Sequence, residues 1–229
     1  MLKGAYTWSK ALGNADISSV GGGSFLGAIQ DYNDLAGSKS PAVFDIRHRF
    51  SFAGIYDVPL WKSNPNRLVR TLMGGWQIGA ILTAQTGFAA ALSNTVDTTG
   101  TGIASRPDVV VGQTWLLPRD QRTRARWFNT AAFALPQPGR FGTAMRNAVY
   151  LPGMNQLDAS ATKYFRFFES HALQFRAEMF NALNHVNLGA PGWNIRDTAN
   201  FGRVTSTSQG AAGMPGDSRV VQFGLKYQF

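Results

Sequence analysis

The last nine residues constrain this chain more than any other segment. Val221, Phe223, Leu225, Tyr227 and Phe229 alternate strictly with Gln222, Gly224, Lys226 and Gln228. Side chains of a strand point to opposite faces with a period of two, so this segment presents one apolar face and one polar face. In a soluble sandwich the apolar face packs on a second sheet; in a membrane barrel it meets lipid while Gln and Lys face a wet interior. Periodicity leaves both open. The aromatic residue at which strand and chain stop together favours the barrel.

Five further segments carry the same pattern. Leu2, Gly4, Tyr6 and Trp8 oppose Lys3, Ala5, Thr7 and Ser9, and Phe50, Phe52, Gly54 and Tyr56 oppose Arg49, Ser51, Ala53, Ile55 and Asp57. Trp76, Ile78, Ala80, Leu82 and Ala84 oppose Gln77, Gly79, Ile81, Thr83 and Gln85, while Leu173, Phe175, Ala177 and Met179 oppose Gln174, Arg176, Glu178 and Phe180. In 156–167 the pattern slips from Leu157, Ala159 and Ala161 into the cluster Tyr164, Phe165, Phe167 and Phe168, which predicts a bulge or an interfacial aromatic girdle. The expected strands are therefore 2–10, 49–57, 76–86, 156–167, 173–180 and 217–229.

The connections alternate in length. Segments 11–45, 88–154 and 184–216 are long, whereas 58–74, with Pro59 and Pro65, and Glu169 to His171 are shorter. Outer-membrane barrels keep short turns on the periplasmic side and long loops outside, and a periplasmic C-terminus gives the right phase. Bacterial barrels begin at about 8 strands, and an open sheet edge in lipid leaves backbone groups unsatisfied. The expected fold is all-β: an antiparallel transmembrane β-barrel segment of about six C-terminal strands with long outer loops, spanning 1–229. Earlier strands are expected upstream, as is an export signal, since MetLeuLysGlyAlaTyrThrTrp lacks the apolar core of a signal peptide.

Composition narrows the rivals. Hydrophobic residues reach 44%, yet no run approaches the roughly 18 residues of a membrane-spanning helix. Charged residues at 15%, aromatics at 12% and 25 glycines suit strands with long loops. Without cysteine there is no disulfide, thiolate metal site or thiol nucleophile. A net charge of +9 invites a nucleic-acid reading, but cations also line barrel lumens and meet anionic head groups, so no nucleic-acid partner is expected.

Little else points to chemistry. His48, His171 and His185 lie far apart without metal-ligand spacing, so no metal, cofactor or catalytic site is expected, and His48 reads as a rim residue bonded to neighbouring strands. Arg119, Arg122, Arg124 and Arg126, followed by Trp127 and Phe128, form the densest charge. A solvated loop is the plain reading, and contact with an anionic ligand or with lipopolysaccharide phosphates is the functional one. GlyGlyGlySer at 21–24 reads as a flexible loop, since no Lys-Ser/Thr pair follows it. Trp8, Trp76, Tyr56, Tyr227 and Phe229 fall at strand ends, as in an aromatic girdle.

TyrThrTrpSerLysAla (6–11), AspIleArgHisArgPhe (45–50), GlyGlyTrpGlnIleGly (74–79), TrpPheAsnThrAlaAlaPhe (127–133) and PheArgAlaGluMetPheAsnAlaLeuAsnHis (175–185) occur in this order. Together they resemble the C-terminal barrel of TonB-dependent receptors, most closely the Oar-like kind that often carries an N-terminal carboxypeptidase-regulatory-like domain. The resemblance implies a 22-stranded barrel with a plug, coupled to the TonB system through the missing N-terminal part. It also makes Val221, Phe223, Leu225, Tyr227 and Phe229 the signal read by the barrel assembly machinery. Outer-membrane lipid and lipopolysaccharide are the other expected partners. A porin-type or adhesin barrel fragment and a secreted β-sandwich binding module are the alternatives.

Overall fold

Alternating segments of this kind are committed to a sheet, and the computed structural model pairs six of them in chain order. It describes residues 1–14, 29–167, 171–208 and 218–229. GlyGlyGlySer, Phe168 and most of the turn expected at 169–171 lie outside the described residues. The long strands are β1 (Leu2–Trp8), β2 (His48–Asp57), β3 (Trp76–Gln85), β4 (Met154–Arg166), β5 (Ala172–Phe180) and β6 (Val220–Gln228). Each is antiparallel to its chain neighbours, so among the described residues β1 and β6 carry the two open edges.

Directly opposed residues share a face, which makes the register a test of the sequence pattern. Tyr6 opposes Phe50, Phe50 opposes Ala84, and Ala84 opposes Asn155. Lower in the sheet Ala80 opposes Ala159, Ala159 opposes Met179, and Met179 opposes Val221. The apolar rows of all six strands therefore fall on one face. The other face is tied by polar contacts: Gln77 Nε2 to Asp57 at 2.9 Å, Gln174 Nε2 to the Tyr164 hydroxyl at 3.0 Å, and the Arg176–Glu178 ion pair at 2.5 Å. Ile55 and Ile81 are its exposed apolar exceptions.

The bulge expected in 156–167 is absent. Pairing runs one to one from Met154 to Lys163 on one side of β4 and from Ala159 to Arg166 on the other. Unbroken register places Lys163 on the apolar face, the only buried residue of the six strands. Its ammonium donates to the Gly74 carbonyl and lies over the rings of Trp76 and Phe165 at 5.6 and 5.2 Å. Gly74 is tightly placed, because a Cβ there would stand 2.7 Å from the Arg70 carbonyl.

Segment 58–74 is more than the expected turn: it contains a helix, α1 (Arg67–Met73). Asn66, directly after Pro65, caps it by accepting from the Leu68 and Val69 amides. The proline thus precedes a helix start instead of ending structure. No helix of the described residues is long and apolar enough to cross a membrane, which says nothing about strands.

No second sheet covers the apolar face among the described residues; the remaining ladders are two-residue pairs. The packed core lies instead in the long loops, all at one end of the sheet. Phe128, Phe133 and Phe201 meet edge to face at 5.2 to 6.2 Å, with Ala132, Ala144, Ala148 and Val149 around them. Backbone bonds from Ser93 to Trp193 and from Trp127 to Gly202 join loop 86–153 to loop 181–208. A third segment is held by buried polar groups: Gln30 donates to the Gly142 carbonyl, Arg106 to Ser38 and the Ala144 carbonyl, and Arg146 to the Ser38 and Gly13 carbonyls.

Phe128→Ala is expected to cost the loop lobe about 3–5 kcal/mol. Amide hydrogen exchange should show deprotection confined to the lobe, with the β3–β4 ladder unchanged; equal deprotection of that ladder would contradict a separate core.

Candidate functional site

Where the lobe meets the sheet the chain forms a cleft of about 790 Å³. Its floor is a row of the apolar face near the loop end of the sheet, with Tyr6, Phe50, Ala84 and Asn155. Its walls carry Arg47, Tyr150, Leu116, Arg119, Arg122 and Trp127. The lining holds three arginines and no carboxylate.

Motif AspIleArgHisArgPhe builds one wall. Asp45 is buried and accepts from the Ala11 amide through one oxygen at 2.7 Å and from Arg47 Nε through the other at 2.7 Å. Arg47 also donates to the Tyr150 hydroxyl at 3.0 Å and lies 5.8 Å from that ring's centre. The Asp45 bond holds the Arg47 guanidinium above its ordinary pKa, and burial raises the Tyr150 phenol, so the pair stands as cation and neutral phenol. His48, one residue on, shares a 2.8 Å hydrogen bond and a stacked ring with Tyr6. That is the rim position expected of it.

The opposite wall divides the arginine cluster. Arg119 and Arg122 line the cleft; Arg124 and Arg126 do not. Arg122 donates from Nε to the Leu117 carbonyl at 2.9 Å and stacks 5.9 Å from the Trp127 ring centre, and Trp127 donates to the Tyr150 carbonyl at 2.7 Å. Arg126 instead reaches Asn129, and the Arg124 carbonyl accepts from the Val204 amide. Arg122 is thus half-buried against Trp127, whereas Arg124 and Arg126 are exposed. Arg47, Tyr150 and Tyr6 complete the site, and nothing in sequence spacing joined them to residue 119.

At the other end of the sheet, Phe223, Leu225 and Tyr227 project from the apolar face and are exposed, as is Phe229 beyond the strand. Phe223 stacks on Phe175 with centroids 6.1 Å apart, and the Tyr227 hydroxyl meets His171 Nδ1 at 2.6 Å. Val221 opposes Met179 on the same face. Among the described residues no group of His, Asp or Glu is placed to hold a metal ion.

Replacing Asp45 by Ala leaves the Ala11 amide and a partly buried guanidinium without their acceptor, at an expected cost of about 1–3 kcal/mol. Thermal unfolding checks this, with Asp45→Asn, which keeps one acceptor oxygen, expected to fall between wild type and Ala.

Comparison with known proteins matches residues 1–222 to the family model described as outer membrane beta barrel domain. No curated protein and no solved structure matches the chain. With nearly the whole length covered, and six strands that divide into one apolar and one polar face, the chain belongs to the outer-membrane β-barrel family and resides in the outer membrane.

Proposed function

We propose that the chain forms the closing six strands of a TonB-dependent receptor of the Oar-like kind, which takes up a scarce ligand across the outer membrane. The observation that carries this reading is the open antiparallel meander: β1 and β6 have unpaired edges while all six strands share one apolar face. Such edges in lipid require further strands. The large lobe on the loop end, which long outer loops place on the cell exterior, suits capture of a ligand before transport. In this reading transport belongs to the whole receptor, and the TonB system is engaged by its N-terminal part. Val221, Phe223, Leu225, Tyr227 and Phe229 act as the strand recognised by the barrel assembly machinery, by β-augmentation at the open edge of β6.

The genomic frame upstream of Met1 tests the assignment. A signal peptide and plug domain in frame are expected, and a bare barrel without a plug would turn the reading to a porin or adhesin. Expressed with that frame in a Gram-negative host, the protein should fractionate with the outer membrane and migrate heat-modifiably, and deletion of Phe229 should reduce the assembled form severalfold. Within the assembled protein, Leu225→Arg should be destabilising, by less than the about 2–4 kcal/mol expected at the bilayer midplane because Leu225 shares the row of Phe175 and Lys163, whereas Lys226→Gln stays mild. Equal tolerance at both positions in urea titrations would contradict the facing.

A further inference from the structure

The cleft between lobe and sheet differs from a nutrient pocket in one respect: its floor belongs to the apolar face. Tyr6 and Phe50 are directly opposed residues of the row that runs over the outward surface, not of the row bearing Gln77, Gln156 and Lys226. An occupant therefore has apolar surface beneath it and guanidinium groups above. Arg119 has no side-chain partner among the described residues, and the terminal amino groups of Arg122 have none while its Nε is held by the Leu117 carbonyl. Arg47 also lines the cleft, but buried Asp45 and the Tyr150 hydroxyl already hold it. Trp127 and Tyr150 place amphipathic rings at the level of the charges, the arrangement typical of a membrane interface.

From this we infer that the cleft is a binding site for a phosphorylated lipid of the outer leaflet, its phosphate held by Arg119 and Arg122 and its first acyl segment laid along Tyr6, Phe50 and Ala84. Arginine suits this role because its planar fork engages phosphate bidentately and it is more weakly hydrated than lysine. No carboxylate lines the cleft to meet the ammonium of a zwitterionic lipid, so its charge favours a head group that carries phosphate alone. The inference rests on the outer-membrane barrel and its facing, not on the transport reading, and stands or falls separately from it.

The test uses the protein expressed with its full upstream frame, purified from outer membranes in detergent and stripped of lipid. Lipid A, the same lipid dephosphorylated, and inorganic phosphate are each titrated and bound species counted by native mass spectrometry. The wild type should bind lipid A about tenfold more tightly than the Arg119→Gln/Arg122→Gln double variant, while Arg124→Gln/Arg126→Gln, outside the cleft, binds as wild type. Dephosphorylated lipid should bind weakly to all. Heat-modifiability of each variant verifies that it is folded. Equal binding by the two double variants, or by the two lipids, overturns the site; displacement of lipid A by inorganic phosphate assigns the arginines to a free anion and overturns the lipid.

Discussion

A slip of one residue in any of the five ladders would turn an apolar row onto the polar face, and every other feature of the molecule depends on that not happening. The penalty is large on both sides. Phe223, Leu225 and Tyr227 would enter a wet interior, while Gln222, Lys226 and Gln228 would enter lipid, where polar groups lose water without gaining partners. The ladders also satisfy the inner strands' backbone donors and acceptors, which hydrocarbon makes obligatory. Polar contacts such as Arg176–Glu178 and Gln77–Asp57 add to the register locally, but the solvent on either face sets it.

The loops obey a different rule. Surrounded by water, they need their own apolar core, and the edge-to-face cluster of Phe128, Phe133 and Phe201 supplies it. Around it lies a buried polar network with two guanidinium groups, of which Arg106 is pulled down to about 10, first by burial and then by repulsion from Arg146. Such a network is costly unless it is well satisfied, and here carbonyls of Gly13, Ser38 and Ala144 do much of that work. The lobe is thus specified by hydrogen bonds between segments more than 60 residues apart, as between Arg106 and Ser38, while the sheet is specified by pairing of chain neighbours.

That division explains what the sequence disclosed. Strand positions were legible to within about three residues because the two-residue period is local. The faces were legible for the same reason, including Trp76 to Ala84 and Leu173 to Met179. The lobe was not legible, since the contact of Phe128 with Phe201, or of Arg47 with Tyr150, has no periodic trace in the chain. Its signal lay in the motifs: TrpPheAsnThrAlaAlaPhe contributes Phe128, Ala132 and Phe133 to the core, and AspIleArgHisArgPhe contributes Asp45 and Arg47 to the cleft. PheArgAlaGluMetPheAsnAlaLeuAsnHis ends β5 with Asn181 and Asn184 at positive φ, a conformation asparagine tolerates, and Asn181 braces His185 in both directions. The motifs mark where strands hand over to loops, places that hydropathy cannot see.

Lys163 looks like a violation of the apolar face, yet its position makes it a boundary. On β4 the apolar face reads Asn155, Leu157, Ala159, Ala161, Lys163, so two polar residues bracket three apolar ones. Eight residues at a rise of about 3.3 Å separate the brackets by roughly 26 Å along the strand, and a tilt of about 40° reduces this to about 20 Å, close to the apolar band of such barrels. Lys163, roofed by Trp76 and Phe165 and bonded to the Gly74 carbonyl, then lies at the turn-side interface, where a cation can reach polar backbone. Asn155 lies in the row that floors the cleft, which puts Arg47, Arg119 and Arg122 at the opposite interface. Two independent features, a buried lysine and an arginine-lined cleft, thereby locate the two edges of one lipid-facing band.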